Sequence, residues 1–146
     1  MYSHRLISGM PVPLAASPIQ LPLADCSVRA SFPPPAEDFL GKRMDIAELL
    51  VEHPQETYIL RVAGPSMQDY GIEDGDLIVV DRALRAKHAS IVVAVVDGEF
   101  TVKALHQVNG VFQLKAGNPT YPDIVPEDDQ SLEIWGVVKS CIKRFT

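Results

Sequence analysis

The chain has 146 residues, 47% hydrophobic and 22% charged, with 13 basic against 19 acidic side chains and a formal net charge of -6. A domain of this size buries roughly 68–70% of the surface its unfolded chain exposes, so it builds a core without disulfides or metals. The acidic balance argues against holding nucleic acid by bulk electrostatics, which needs clustered Lys and Arg; the two cysteines, Cys26 and Cys141, lie outside any C-x-x-C spacing and read as free thiols of a reducing compartment.

The N-terminal part is unlike the rest. Seven of the 12 prolines (Pro11, Pro13, Pro18, Pro22, Pro33, Pro34 and Pro35) fall in the first 35 residues, whose only charges are Arg5, Asp25 and Arg29. The stretch from Leu6 to Ala24 is apolar enough to suggest a signal peptide. Its prolines interrupt any helix, however, and it is short for a membrane span. Proline fixes φ and removes N–H donors, so residues 1–30 read as an extended arm, cheap to order against another surface and open to a protease.

From Ala36 onward the pattern is that of a folded domain, 31–146. Met44, Ile46, Ala47, Leu49, Leu50 and Val51, with Asp45, Glu48 and Glu52 between them, predict a short amphipathic helix that His53-Pro54 ends. Strands are predicted over Thr57–Val62, Leu77–Asp81, Ile91–Val96, Glu99–Leu105, Val111–Lys115 and Leu132–Arg144, rich in Val, Ile, Phe and Thr. Asp97-Gly98 between two of these runs is a two-residue hairpin signal. The expected fold is mostly β: a compact, mostly antiparallel domain with a short N-terminal helix.

Gly64-Pro65-Ser66-Met67 follows the first of these strands directly, which displays Ser66 at a sheet edge. It is not a hydrolase nucleophile elbow, because Gln68 stands where the second glycine belongs. His4, His53, His88 and His106 show neither triad context nor metal-ligand spacing and read as surface or loop residues, so no metal or cofactor is expected. A lysine base is the other way to activate a serine, provided burial lowers its pKa. Strand alternation puts Lys103 on one face with Thr101 and Leu105, a small hydroxyl and an apolar side chain. On spacing alone, a strand lysine more commonly faces solvent or marks an edge. Glu73-Asp74-Gly75-Asp76 reads as a turn rather than a calcium loop, Glu127-Asp128-Asp129 as a solvated loop, and Lys139, Lys143 and Arg144 as a solvated or partner-facing last strand.

Three segments together carry a resemblance: Gly64 to Met67, Gly71-Ile72-Glu73-Asp74-Gly75-Asp76 with the hydrophobic run to Asp81, and Asp97-Gly98-Glu99-Phe100-Thr101-Val102-Lys103. Over roughly residues 30 to 144 the chain resembles the LexA/UmuD family of self-cleaving serine peptidases, with a serine-to-lysine separation of 37. The resemblance implies a Ser-Lys dyad with Ser66 as nucleophile and Lys103 as general base. It is nearest the UmuD type, because 35 proline-rich residues cannot form the helix-turn-helix domain that a LexA-type repressor needs.

The same resemblance implies a cleavage site 36 residues before Ser66, at Ala30-Ser31, where the family usually has Ala-Gly or Cys-Gly. Serine restricts the sharp turn that glycine allows, so slow cleavage or none is an expectation beside efficient cleavage. Pro65 supplies no N–H to an oxyanion, which leaves the Ser66 amide to work with a donor from elsewhere. The implied function is a cytoplasmic, homodimeric accessory subunit of a UmuC-type translesion DNA polymerase, cleaved under stimulation by a RecA filament on single-stranded DNA. Neither direct sequence-specific DNA binding nor membrane attachment is implied. The alternatives are an interaction module that keeps the fold without efficient cleavage, and a signal-peptidase-like enzyme, which the lack of a membrane anchor disfavours.

Overall fold

The computed structural model describes residues 12–13, 20–23, 43–127 and 130–146. The expected scissile bond Ala30-Ser31, together with Cys26, His4, Asp128 and Asp129, lies outside the described residues. Two short pieces of the expected arm are described and both are extended: β1 (Val12–Pro13) and β2 (Gln20–Pro22). Neither stands alone. β2 pairs antiparallel with β3 (Arg43–Asp45), placing Leu21 opposite Met44, and β1 pairs antiparallel with β4 (Thr57–Arg61), placing Val12 opposite Ile59.

The helix is shorter than the apolar pattern predicts. α1 spans Ile46–Leu50, because Met44 belongs to β3 and Asp45 caps the helix by accepting from the Ala47 N–H at 2.9 Å. Val51 is already extended, and Pro54 opens a 3-10 turn, Pro54–Glu56, leading into β4. β5 (Leu77–Asp81), β6 (Ile91–Val96) and β8 (Val111–Lys115) have their predicted bounds. β7 (Glu99–Val108) runs three residues further than predicted, and β9 (Leu132–Ile142) stops two residues earlier. Two tight hairpins with positive φ at both central residues join β6 to β7 at Asp97-Gly98 (φ 49° and 84°) and β7 to β8 at Asn109-Gly110 (φ 54° and 77°).

Among the described residues, seven strands form one sheet in the order β1-β4-β5-β9-β6-β7-β8, every neighbouring pair antiparallel. The fold is mostly β, as the sequence pattern predicts. The last strand lies between β5 and β6, and its register shifts once against each, leaving Lys139 and Trp135 as extra residues. Such bulges bend a strand and raise its twist. At Gly136 the crossing is tight: a Cβ there would sit 2.6 Å from Val80 Cγ1. β6 is buried on both faces, with Val93 in one apolar cluster and Val92 and Ala94 in another, which is why it reads as an unbroken apolar run. Among the described residues, no helix is long and apolar enough to cross a membrane.

The segment after α1 is fastened to the end of β5 through buried polar groups. His53 Nδ1 lies 2.6 Å from Oδ2 of the fully buried Asp81, Thr57 Oγ1 donates to the His53 carbonyl at 2.7 Å, and Ala83 N–H donates to Asp81 Oδ1 at 2.8 Å. The Asp81 hydrogen bond raises the His53 pKa above its ordinary value of 6.5, with Glu52 adding to the rise and Lys139 opposing it. A raised folded-state value means the stabilisation is complete below the unfolded pKa of about 6.5 and fades as pH rises through the folded one. The thermal-midpoint advantage of the native chain over His53→Asn should therefore be largest near pH 6 and shrink toward pH 8; a constant difference across that range would contradict it.

Candidate active site

β4 delivers the chain into the segment Val62 to Met67, and three sets of contacts hold it. Val62 N–H donates to the Asp76 carbonyl and Gly75 N–H donates back to the Val62 carbonyl, both at 2.8 Å. Gly64, at φ 87°, donates its N–H to Asp74 Oδ1 at 2.7 Å. The positive φ suits only glycine without strain. Met67, 1% exposed, plugs the apolar cluster formed with Val62, Ile72, Ile78, Val80 and Val93. Ser66 is thus half-buried between an anchored glycine turn and a core methionine. A 3-10 turn, Gln68–Tyr70, and the left-handed Gly71 then take the chain away.

Lys103 comes from the middle of β7, opposite Val92 of β6, and is only 7% exposed. Its Nζ donates to Thr101 Oγ1 at 2.7 Å and to the Val102 carbonyl at 3.1 Å, and it lies 3.4 Å from Ser66 Oγ. All three partners are neutral, and among the described residues Lys103 has no carboxylate partner. Burial without a counter-ion favours the neutral amine and pushes the Lys103 pKa below the ordinary lysine value. In that form the nitrogen lone pair is an acceptor for the serine hydroxyl proton. Ser66 also lines a cleft of about 370 Å³ walled by Leu60, Arg61, Val62, Phe100 and Val102. The two residues singled out for nucleophilic chemistry therefore meet across 37 positions, Ser66 lining the cleft and Lys103 buried behind it.

A family model described as Peptidase S24-like matches residues 22–139. The chain belongs to this family. Among its relatives, Protein MucA of Salmonella typhimurium is 44% identical over 113 residues, 76% of each chain. Protein SamA of Salmonella typhimurium strain LT2 is 40% identical over 115 residues, 79% of each chain. The LexA repressor of Paracidovorax citrulli is 36% identical over 135 residues, 92% of this chain and 59% of the repressor. Within the LexA/UmuD grouping the chain is a UmuD-like member.

The other sequence candidates of this S24-like chain lie apart from Ser66. His88 Nδ1 accepts from Gln107 N–H at 3.0 Å, and its ring meets His106 edge-on at 4.8 Å. Glu52, His53 and Asp81 hold one donor atom each within 4.8 Å of one another, but His53 and Asp81 bond each other and Glu52 pairs with Lys139 at 3.6 Å. Lys143, read from the sequence as part of a solvated or partner-facing strand, lies beyond the end of β9 and pairs with Asp76 and with Glu73 at 3.1 Å. Cys141 is a free thiol whose pKa is raised by burial and by Asp76.

Three residues shape the serine segment through contacts that the sequence taken alone does not signal: Asp74, Gly117 and Asn118. Asp74 sits in a segment that reads as an ordinary turn. Gly117 N–H donates to the Ser66 carbonyl at 2.7 Å, and Asn118 Nδ2 donates to the Pro65 carbonyl at 3.0 Å, from more than 50 positions away. No local pattern announces such a contact.

The hydrogen bond to Thr101 Oγ1 stabilises the charged form of Lys103, so its loss should lower the Lys103 pKa further. In a nuclear magnetic resonance titration, the Lys103 side chain should deprotonate below the ordinary lysine value of 10.5, and lower still in Thr101→Val. Titration of Lys103 at the ordinary lysine value would show that its amine is not desolvated.

Proposed function

We propose that this chain is a UmuD-like accessory subunit of an error-prone UmuC-type translesion DNA polymerase, activated by self-cleavage between Ala30 and Ser31 through a dyad of Ser66 and Lys103. The observation that carries this reading is the buried Lys103 amine, without a carboxylate partner among the described residues, 3.4 Å from Ser66 Oγ. Membership of the Peptidase S24-like family and the similarity to MucA and SamA support it.

Neutral Lys103 takes the Ser66 hydroxyl proton while Oγ forms a bond to the Ala30 carbonyl carbon. The tetrahedral intermediate collapses as the bond between Ala30 and Ser31 breaks, and the Lys103 ammonium gives its proton to the leaving Ser31 amine. Water, deprotonated by the regenerated amine, then hydrolyses the ester and frees an arm ending in the Ala30 carboxylate. Thr101 Oγ1 and the Val102 carbonyl hold Nζ in place through this cycle. A RecA filament on single-stranded DNA stimulates the step, and the cytoplasmic homodimer of shortened chains joins the polymerase. With a net charge of -6, the protein reaches DNA through these partners rather than by its own electrostatics.

The base is the uncharged amine, so the cleavage rate should rise with pH and level off above the lowered Lys103 pKa. Intact-mass measurement of the purified chain over a pH series, and with RecA, single-stranded DNA and nucleotide near neutral pH, should give a product ending at Ala30. Ser66→Ala or Lys103→Ala should slow its formation by at least about 1,000-fold. Cleavage that survives Ser66→Ala would overturn the mechanism.

A second reading, an interaction module that binds the polymerase without efficient cleavage, is favoured by Ser31 standing where glycine is usual. Ser31→Gly should then accelerate processing sharply with polymerase binding unchanged, whereas rapid processing of the native chain removes this alternative.

A further inference from the structure

The oxyanion that forms at the attacked carbonyl needs N–H donors, and Pro65, immediately before Ser66, has none. The donor nearest the nucleophile is the Ser66 N–H, and a donor helps only when aimed at the position the oxyanion takes. Peptide planarity ties its direction to the Pro65 carbonyl: the bond is trans, so the C=O of Pro65 and the N–H of Ser66 point in opposite directions. Whatever holds that carbonyl also aims that N–H.

Two donors hold it, Asn118 Nδ2 at 3.0 Å and Gln68 N–H at 3.3 Å. Asn118 is itself fixed, because its Oδ1 accepts from Thr120 N–H at 3.0 Å and from Thr120 Oγ1 at 2.8 Å, which leaves Nδ2 for Pro65. The next peptide is pinned in the same way, by Gly117 N–H on the Ser66 carbonyl at 2.7 Å. Among the described residues, neither the Ser66 N–H nor the Met67 N–H donates to a protein acceptor. The approach of Gly117 depends on its missing side chain: a Cβ would lie 2.4 Å from Tyr70 Cδ2 and 3.1 Å from Met67 Cα. Asn118 lines a separate depression with Asp69, Pro119 and Tyr121, whereas Ser66 lines the cleft.

We propose that Asn118 is a positioning residue for the oxyanion donor. By pinning the Pro65 carbonyl from the side away from the cleft, it aims the Ser66 N–H into the cleft, where proline has removed the preceding donor. Gly117 does the same for the Met67 N–H. This inference rests on the reading of Ser66 as the self-cleaving nucleophile.

Two substitutions separate this role from a merely structural one. Asn118→Ala removes both functions of the side chain. Asn118→Asp keeps the two acceptor bonds from Thr120, loses the donor to Pro65 and sets a carboxylate oxygen against the Pro65 carbonyl in its place. Self-cleavage is followed by intact mass across a pH series, with thermal unfolding measured on the same samples. Both variants should cleave about 100-fold more slowly on the high-pH plateau, with Asn118→Asp no faster than Asn118→Ala, and both should unfold near the native temperature. The pH midpoint of Asn118→Ala should match the native one, because the effect does not pass through Lys103. Cleavage of Asn118→Asp at the native rate would assign Asn118 to the Thr120 turn alone and overturn the proposal. A native plateau with a displaced midpoint in Asn118→Ala would overturn it too, by placing the effect on Lys103. Lys103→Ala in the same series reports on the base separately: cleavage that survives it overturns the dyad reading, while the Asn118 comparison stays readable because an oxyanion needs donors whichever base acts.

Discussion

The arrangement at Ser66 depends on one lysine kept out of water with, among the described residues, no carboxylate at its side. An ammonium group in such a place loses hydration that three neutral oxygens replace only in part, so its equilibrium moves toward the amine. A neighbouring Asp or Glu would have raised the pKa again and kept the group an ammonium at neutral pH. The sheet supplies this environment by placing Lys103 at the middle of β7, opposite the fully buried Val92. Thr101, two residues earlier on the same face, offers a hydroxyl oxygen, which orients the amine without adding charge.

The serine is held on different terms. No helix or strand carries it; its position comes from backbone bonds contributed by three stretches of chain. The turn at residues 74–76 grips Val62 and Gly64, Met67 is sunk in the core, and residues 117–118 take hold of the Pro65 and Ser66 carbonyls. The hydrogen bonds fix peptide planes, while Met67 is held by its side chain. Two glycines allow it for separate reasons. Gly64 takes a positive φ, and Gly117 leaves room for the Tyr70 ring and the Met67 backbone.

The middle of the sheet connects these two halves. β9 lies between β5, which closes the turn bracing the serine segment, and β6, which backs Lys103. Its two bulges and the tight approach at Gly136 let the sheet bend at this junction. On the outer side of β4, the described piece of arm at Val12–Pro13 adds a short antiparallel strand to the same edge whose Ile59 to Ala63 run lines the cleft. The arm and the cleft therefore share a strand.

Much of this architecture is legible in the linear order of residues, because the signals are local. Alternation and β-branched runs mark β5, β6 and β8 to the residue, and Asp97-Gly98 marks its hairpin through the positive φ that such a turn demands. The family resemblance carried by three sequence segments is what names Ser66 and Lys103 together, and the alternation of β7 already puts Thr101 beside the lysine. The insertion of β9 between β5 and β6, the grip of Asn118 and Gly117 on the serine peptide, the brace from Asp74 and the bond from His53 to buried Asp81 come only with tertiary structure. They join residues 10 to more than 50 positions apart through single hydrogen bonds or strand pairings. Asn118 would make an ordinary Asx turn with Thr120 in any loop, and only the folding of the β8 end against the serine segment turns its amide toward Pro65. A side chain's type sets what it is able to bond, and the closure of the sheet decides which partner arrives.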